Sequence, residues 1–77
     1  MNKLPALPAK EIIRALQKAD FVLVRQRGSH ARFVHRNNPD RYATVALHGG
    51  DVPRRDLASI LRQAKLPLKE FLKLLGK

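Results

Sequence analysis

The stretch FVLVRQRGSHARFVHRNNPDRYATVALH, residues 21–48, decides the fold. Its first part, residues 21–26, is dominated by branched and aromatic side chains, which is typical of a β-strand. Gly28 follows, and glycine readily adopts the positive φ that a tight reversal requires. Residues 37–40 (NNPD) interrupt the pattern again, and it resumes over residues 42–48. The sequence therefore predicts a three-stranded antiparallel meander with a hairpin at Gly28-Ser29-His30.

The second predicted strand, residues 30–36, has two different faces, because side chains alternate along a strand. One face carries Ala31, Phe33 and His35 and is expected to pack on the core. The other face carries charge and nitrogen and is expected to meet solvent; its residues are His30, Arg32, Val34 and Arg36.

Apolar residues recur at i, i+3, i+4 and i+7 in three further stretches, which is the pattern of amphipathic helices. The first predicts a helix over residues 8–19, with Pro8 in its first turn. The second follows Gly49 and Gly50, with Asp51 as its N-cap and Pro53 in its first turn. The third predicts a short helix over residues 68–75 that ends at Gly76. The expected fold class is α+β in the order α-β-β-β-α plus a short C-terminal helix, with the helices on one sheet face and a single domain over residues 1–77.

Charge is the strongest feature of the composition. Sixteen Lys and Arg face six Asp and Glu, giving a formal charge of +10 on 77 residues. Such an excess is tolerated most readily when the partner is polyanionic, as nucleic acid, an anionic membrane surface or an acidic protein would be. The chain has three Phe, one Tyr and no Trp, too few aromatic residues for a single-strand stacking platform, so we expect phosphate contacts.

His30 is the candidate catalytic residue. Metal-independent cleavage of RNA requires a base for the 2′-hydroxyl proton, cations for the phosphorane and an acid for the leaving oxygen. Histidine suits proton transfer near neutral pH. Beside it, Gly28 lets a phosphate approach the backbone, Ser29 offers a hydroxyl, and arginines lie nearby in sequence: Arg25, Arg27 and Arg32.

A second basic site is predicted at the start of the second helix. Arg54 and Arg55 oppose the helix dipole there, which favours a role other than helix stability. With the exposed N–H groups of the first turn they form a candidate phosphate clamp, the alternative being an unselected basic surface. Lys10, on the first helix, is a further candidate RNA contact, although it also fits an ordinary solvated face.

The remaining histidines have weaker signals. His35 shares a face with Phe33, where a hydrogen-bonded structural role is favoured. His48 precedes Gly49-Gly50 and could approach the rim of the sheet. The three histidines lack the spacing of a zinc site, so we expect no metal, and no cofactor motif is present.

The chain resembles the HicA (YcfA-like) toxins of bacterial toxin–antitoxin pairs. The segment Arg27-Gly28-Ser29-His30 is the most specific part of the resemblance; the other matching parts are residues 10–16, 21–26, 45–50, 57–64 and 68–75. The resemblance implies a fold like that of a double-stranded RNA-binding domain. It implies an mRNA interferase, a small endoribonuclease held inactive by a HicB-type antitoxin, which we expect to cover the His30 face. The histidine that the family is thought to need corresponds to His30.

The chain departs from the family pattern at two positions. Many members have a second histidine where this chain has Ala31, and a glycine where it has Asp20. The first departure removes one candidate acid, so the group that protonates the leaving oxygen is open between Ser29, Arg27, His48 and water.

Three functions follow from these residues. The first is an RNA-cleaving toxin with His30 as general base and mRNA as substrate, its backbone held by Lys10, Arg27, Gly28, Ser29, Arg32, Arg54 and Arg55. The second is a non-catalytic module that binds structured RNA by shape. The third is a small basic protein that binds an acidic partner, which is compatible with the first. No stretch approaches the roughly 20 apolar residues of a membrane span, and two prolines interrupt the start, so a cytoplasmic location is expected.

Overall fold

A computed structural model describes residues 4–47 and 49–76. The chain forms an α+β fold, as predicted. Its elements, in order, are β1 (Leu7–Pro8), α1 (Ala9–Lys18), β2 (Phe21–Arg27), β3 (His30–His35), β4 (Asn38–Ala46), β5 (Asp51–Val52), α2 (Arg54–Ala64) and α3 (Leu68–Leu74).

The main sheet is the predicted meander. Its strand order is β2-β3-β4 with both pairs antiparallel, so β3 is central and β2 and β4 are edges. A second, two-stranded sheet was not predicted: β1 pairs with β5, and Leu7 lies opposite Val52. Because α1 follows β1 directly and α2 begins two residues after β5, this short ribbon ties the starts of both long helices together.

The helices cover one face of the sheet and share a hydrophobic cluster with it. Phe33 of β3 and Val45 of β4 are buried on that face, and the apolar stripes of the helices are buried against them. The residues buried from the helices are Ala9, Ile12, Ala15, Leu16, Leu57, Ile60, Leu61, Ala64 and Phe71. Each large apolar side chain buried in this way contributes about 1.5–3 kcal/mol to stability. The predicted helical periodicity is therefore confirmed.

The hairpin between β2 and β3 turns at Gly28 and Ser29. Gly28 has φ +56°, whereas Ser29 is not among the residues with positive φ, which is the pattern of a type II′ turn. An added Cβ on Gly28 would meet no atom within 4 Å, but its conformation would be strained. Glycine is therefore used here for its backbone conformation, and the space beside the turn stays open.

The start of β4 differs from the prediction. Residues 37–40 were expected to form a loop, but β4 begins at Asn38, and the turn contains only residues 36 and 37. The pairing changes from His35 opposite Asn38 to Val34 opposite Tyr42, so Pro39 lies in an irregular segment of an edge strand. Proline is tolerated at such a position because its missing N–H breaks no ladder hydrogen bond. The predicted end of this strand, His48, lies outside the described residues.

The predicted N-cap of α2 was wrong. Asp51 belongs to β5, and Pro53 occupies the N-cap position, without a side-chain hydrogen bond to the helix. Pro8 has the same position before α1 and lies outside the helix, since α1 begins at Ala9. Proline at the N-cap leaves the first N–H groups of each helix without the side-chain acceptor that aspartate or serine would supply.

Asp20, one of the two positions at which the sequence departs from the pattern it resembles, has φ +70°. This left-handed conformation costs most residues about 1–2 kcal/mol, and aspartate tolerates it better than most. Its carbonyl oxygen accepts a hydrogen bond from the N–H of Arg36 at 2.8 Å, which fixes the link between α1 and β2. At this position the chain thus has a residue that is less favourable than glycine for the left-handed backbone conformation.

Candidate nucleic-acid interface

A β-bulge in β2 determines which side chains accompany His30. The pairing with β3 shifts between Leu23 and Arg25, so Val24 is the extra residue. After the shift, Arg25 lies opposite Arg32 and Arg27 lies opposite His30. Cross-strand partners share a face of a sheet. The bulge therefore places Arg25 and Arg27 on the same face as His30. If every residue from Val22 onwards alternated regularly, both arginines would lie on the opposite face.

This outer face of the sheet, away from the helices, is cationic. All three of its arginines (Arg25, Arg27 and Arg32) are exposed. The one salt bridge among residues 4–47 and 49–76 joins Arg14 to Glu11 on α1, so no carboxylate neutralises the sheet arginines there. Like charges placed opposite each other, as in the Arg25 and Arg32 pair, are destabilising. A polyanionic ligand on this face would relieve that cost.

Arg32 is held in place by an aromatic ring. Its guanidinium carbon lies 4.6 Å from the centre of the Tyr42 ring on β4. Such a cation–π contact contributes about 0.5–1 kcal/mol at an exposed site and restricts the side chain. Since the ring orders the guanidinium before any ligand arrives, less conformational entropy is lost on binding.

His30 is exposed at the first position of β3, directly after the turn. It lies opposite Ala46 on β4 as well as Arg27 on β2, so it is flanked by both neighbouring strands. His30 lines a pocket of about 230 Å³ together with residues of β4 and residues along the length of α2. His30 is thus accessible, shares the outer face with the arginines and adjoins a cavity that α2 helps to form.

Four other polar residues line this pocket with His30. Asp56 and Ser59 come from α2, one helical turn apart, and Gln63 comes from the next turn. Thr44 comes from β4. The Ser59 hydroxyl oxygen accepts a hydrogen bond from the Arg62 guanidinium at 3.2 Å, which leaves its proton free to donate. The pocket therefore offers a carboxylate, two hydroxyls and an amide beside the imidazole.

The rest of the pocket wall is apolar and comes from both sides of the cleft. Ala46 lies next to His30, and its small side chain leaves the cleft open on the sheet side. Opposite it lie Val52, Pro53 and Ile60. Apolar walls with a few polar groups are characteristic of small-molecule and base-binding sites.

The predicted phosphate clamp adjoins the same pocket. Arg54 and Arg55 form the first turn of α2 and are exposed, and the residues before and after them, Pro53 and Asp56, line the cavity. Lys10 is exposed near the start of α1 but does not line it. The α2 arginines are thus next in sequence to residues that line the His30 pocket, whereas Lys10 has no neighbour in sequence that lines it.

His35 is a structural residue, as predicted. Its Nδ1 accepts a hydrogen bond from the N–H of Asn37 at 3.1 Å, and its ring packs edge-on against Phe21 with centroids 5.2 Å apart. It closes the β3–β4 turn at the end of the strand far from His30. Within the described part of the chain, no three His, Asp or Glu side chains form a group that could hold a metal ion. His48, a candidate acid, is outside that part.

Sequence reasoning missed the bulge at Val24 and the carboxylate of Asp56. The bulge depends on pairing between strands, which the sequence of β2 alone does not reveal. Asp56, Ser59, Ile60 and Gln63 follow the i, i+3, i+4, i+7 spacing of one helix face, so a mixed polar and apolar stripe was the available signal.

The fold is that of a small basic α+β protein whose outer sheet face carries three exposed arginines and an accessible histidine. The family model described as the HicA toxin of bacterial toxin–antitoxin systems matches residues 9–66. The chain belongs to this family and is the toxin component of a toxin–antitoxin pair, with an antitoxin as its partner. A comparison with curated protein sequences finds no significant match. In the described residues no helix is long and apolar enough to cross a membrane, the longest having 11 residues.

Proposed function

We propose that this toxin is an endoribonuclease that cuts mRNA without a metal ion, with His30 as the general base. The observation that carries the proposal is the position of His30: an exposed imidazole flanked by unneutralised arginines on one side and a polar pocket on the other. A cationic surface alone would bind RNA. The imidazole adds a group that transfers protons near neutral pH.

In the proposed reaction the neutral imidazole of His30 takes the proton of a ribose 2′-hydroxyl. The resulting oxygen attacks the adjacent phosphorus, and the bond to the 5′-oxygen of the next nucleotide breaks, which leaves a 2′,3′-cyclic phosphate. Arg27, opposite His30 on β2, and Arg32, two residues along β3, lie on the same face as His30 and stabilise the charge that develops on the phosphorane. The open turn at Gly28 and Ser29 gives the phosphate room to approach.

The leaving oxygen requires a proton. Arg27, Ser29 and water remain candidates for its donor, as does His48 outside the described residues. Asp56 lines the same pocket as His30 but is not among these donors, because a carboxylate only accepts hydrogen bonds.

A chemical change in the substrate tests the reaction class directly. We expect an RNA oligonucleotide to be cut in the presence of EDTA, and to yield 2′,3′-cyclic phosphate ends detectable by mass spectrometry. The DNA oligonucleotide of the same sequence should bind but stay intact, because it lacks the attacking hydroxyl. RNA that is bound and never cut would favour the non-catalytic RNA-binding module, and cleavage that stops in EDTA would contradict the metal-independent mechanism.

The phosphate clamp makes a separate prediction. Replacing Arg54 and Arg55 together with alanine should weaken RNA binding and reduce the slope of log affinity against log salt by roughly 1–2, since each lost phosphate contact reduces counterion release. The measurement is a fluorescence-anisotropy titration at several salt concentrations. The control is the Lys69→Ala, Lys73→Ala double variant, which removes the same charge from exposed positions on α3. Equal slopes for the two double variants would show that Arg54 and Arg55 do not contact the RNA phosphates.

The same cationic face suits the antitoxin. We propose that a HicB-type antitoxin covers the outer face around His30 with an acidic surface, so that it neutralises the sheet arginines and blocks the pocket together. Charge complementarity of this kind speeds association. Competition between antitoxin and RNA for the free toxin would test it.

A further inference from the structure

We infer that the pocket between β4 and α2 binds a single unstacked guanine base of the RNA, with Asp56 and Ser59 reading its edge. This inference deepens the proposed function and rests on RNA being the ligand of the outer face. It concerns which nucleotide the toxin prefers.

The size of the pocket suits one base. At about 230 Å³ it is smaller than most pockets for drug-sized ligands, which span about 300–1,000 Å³. It holds the volume of roughly eight water molecules at about 30 Å³ each, which matches one planar ring system rather than a stacked pair. Single-stranded RNA is commonly recognised by such insertion of splayed bases between protein side chains.

The charge of the pocket excludes phosphate as its occupant. Asp56 is the one residue among the Asp, Glu, Lys and Arg of the described chain that lines the cavity, whereas the arginines of the sheet face and of the first turn of α2 do not line it. A phosphate would therefore meet repulsion inside and attraction outside. A neutral group attached to a phosphate satisfies both, and a base on its ribose phosphate is such a group. His30, at the boundary of the two regions, is then close to the ribose.

The polar groups in the pocket favour guanine over the other bases. An ionised carboxylate only accepts hydrogen bonds, and the adjacent N1–H and N2 amino group of guanine donate two in parallel. The Ser59 hydroxyl, whose oxygen already accepts from Arg62, has its proton free for the guanine O6. Uracil has a carbonyl oxygen on each side of the N–H at its base-pairing edge. These oxygens would face the carboxylate and be repelled by it. Adenine has an amino group where guanine has O6.

A titration with nucleotides tests the inference on the full chain without any cleavage. Guanosine, inosine and uridine 3′-monophosphates are added to the wild type while amide NMR shifts of Ser59 and Gln63 are followed. Since all three carry the same phosphate, their difference reports the pocket. We expect guanosine to bind about 5- to 150-fold more tightly than uridine, as good bidentate base contacts do, with inosine in between because it lacks the N2 amino group.

Variants separate base reading from helix stability. Asp56→Asn should bring guanosine and uridine to within about twofold of each other, whereas the control Glu70→Gln, the same change at an exposed position on α3, should keep the full preference. Ala46→Leu, which fills the pocket from β4, should bring all three nucleotides to the same weak affinity. Equal binding of the three nucleotides to wild type, or shifts confined to β2 and β3, would overturn the inference. If the protein selects guanosine but cuts no RNA, the base-binding pocket is supported and the nuclease proposal is refuted. If it cuts RNA but binds the three nucleotides equally, the nuclease proposal is supported and the base-binding pocket is refuted.

Discussion

Replacing His30 with alanine is expected to reduce RNA cleavage by roughly 10²- to 10⁴-fold, the usual contribution of a general base. The loss should be in the rate of cleavage, while RNA affinity changes little, because the arginines that hold the phosphates remain. His30 is exposed, and exposed substitutions away from special contacts usually change stability by less than about 0.5 kcal/mol. Circular dichroism and thermal unfolding should therefore match wild type, and growth arrest on expression should be relieved.

His35 supplies a matched control for this result. His35→Ala removes an imidazole from the same strand, but one that accepts a hydrogen bond from Asn37 and packs against Phe21. Losing the ring contact should cost about 0.5–1.5 kcal/mol. The variant should thus melt earlier yet cut RNA at the wild-type rate below its transition. Full activity in the His30 variant, or equal loss in both, would exclude His30 as the base.

Phe71→Ala is expected to lower the free energy of unfolding by about 3–5 kcal/mol, the usual cost of truncating a buried phenylalanine. Phe71 is fully buried and is the one residue of α3 that is buried outright. Small domains have total stabilities near the low end of about 5–15 kcal/mol, so this change should leave a large unfolded fraction at 37 °C. Urea unfolding followed by circular dichroism measures it.

This prediction concerns a helix beyond the family match, which ends at residue 66. α3 is held by Phe71 and by a hydrogen bond of 3.2 Å from the Lys18 ammonium to the Leu74 carbonyl. Lys73→Ala, on the exposed side of the same helix, is the control and should change the free energy of unfolding by less than about 0.5 kcal/mol. If the two variants unfold at the same urea concentration, α3 contributes little to the core.

The regular elements were predictable because their side chains repeat. The stripes Ile12 with Leu16 and Leu57 with Leu61 are spaced for burial on one helix face, and the alternation of Ala31 with Phe33 indicated the inner face of β3. The spacing of the apolar residues in these patterns indicates which side chains point towards the core. Local periodicity is therefore sufficient for the helices and the meander.

The remaining features depend on contacts between distant residues. Pro39 and its polar neighbours have the composition of a loop, yet an edge strand accommodates them. Asp51 has the chemistry of a helix cap, but pairing with Pro8 draws it into β5. The environment of Asp56 exists only once α2 lies beside β4. In each case a tertiary contact outweighs the local preference, and that contact cannot be deduced from the local sequence pattern.

The extra residue at Val24 lets the length of β2 vary without changing its charged face. Deleting Val24 would put Arg25 directly after Leu23, so Arg25 would still lie opposite Arg32 and the ladder would become regular. If Val24 stayed and the bulge closed, the rest of the strand would slip by one position, and Arg25 and Arg27 would turn towards the helices. Homologous toxins that lack one residue at this point would therefore present the same electrostatic surface to RNA and antitoxin, and an alignment gap there marks the loss of a bulge.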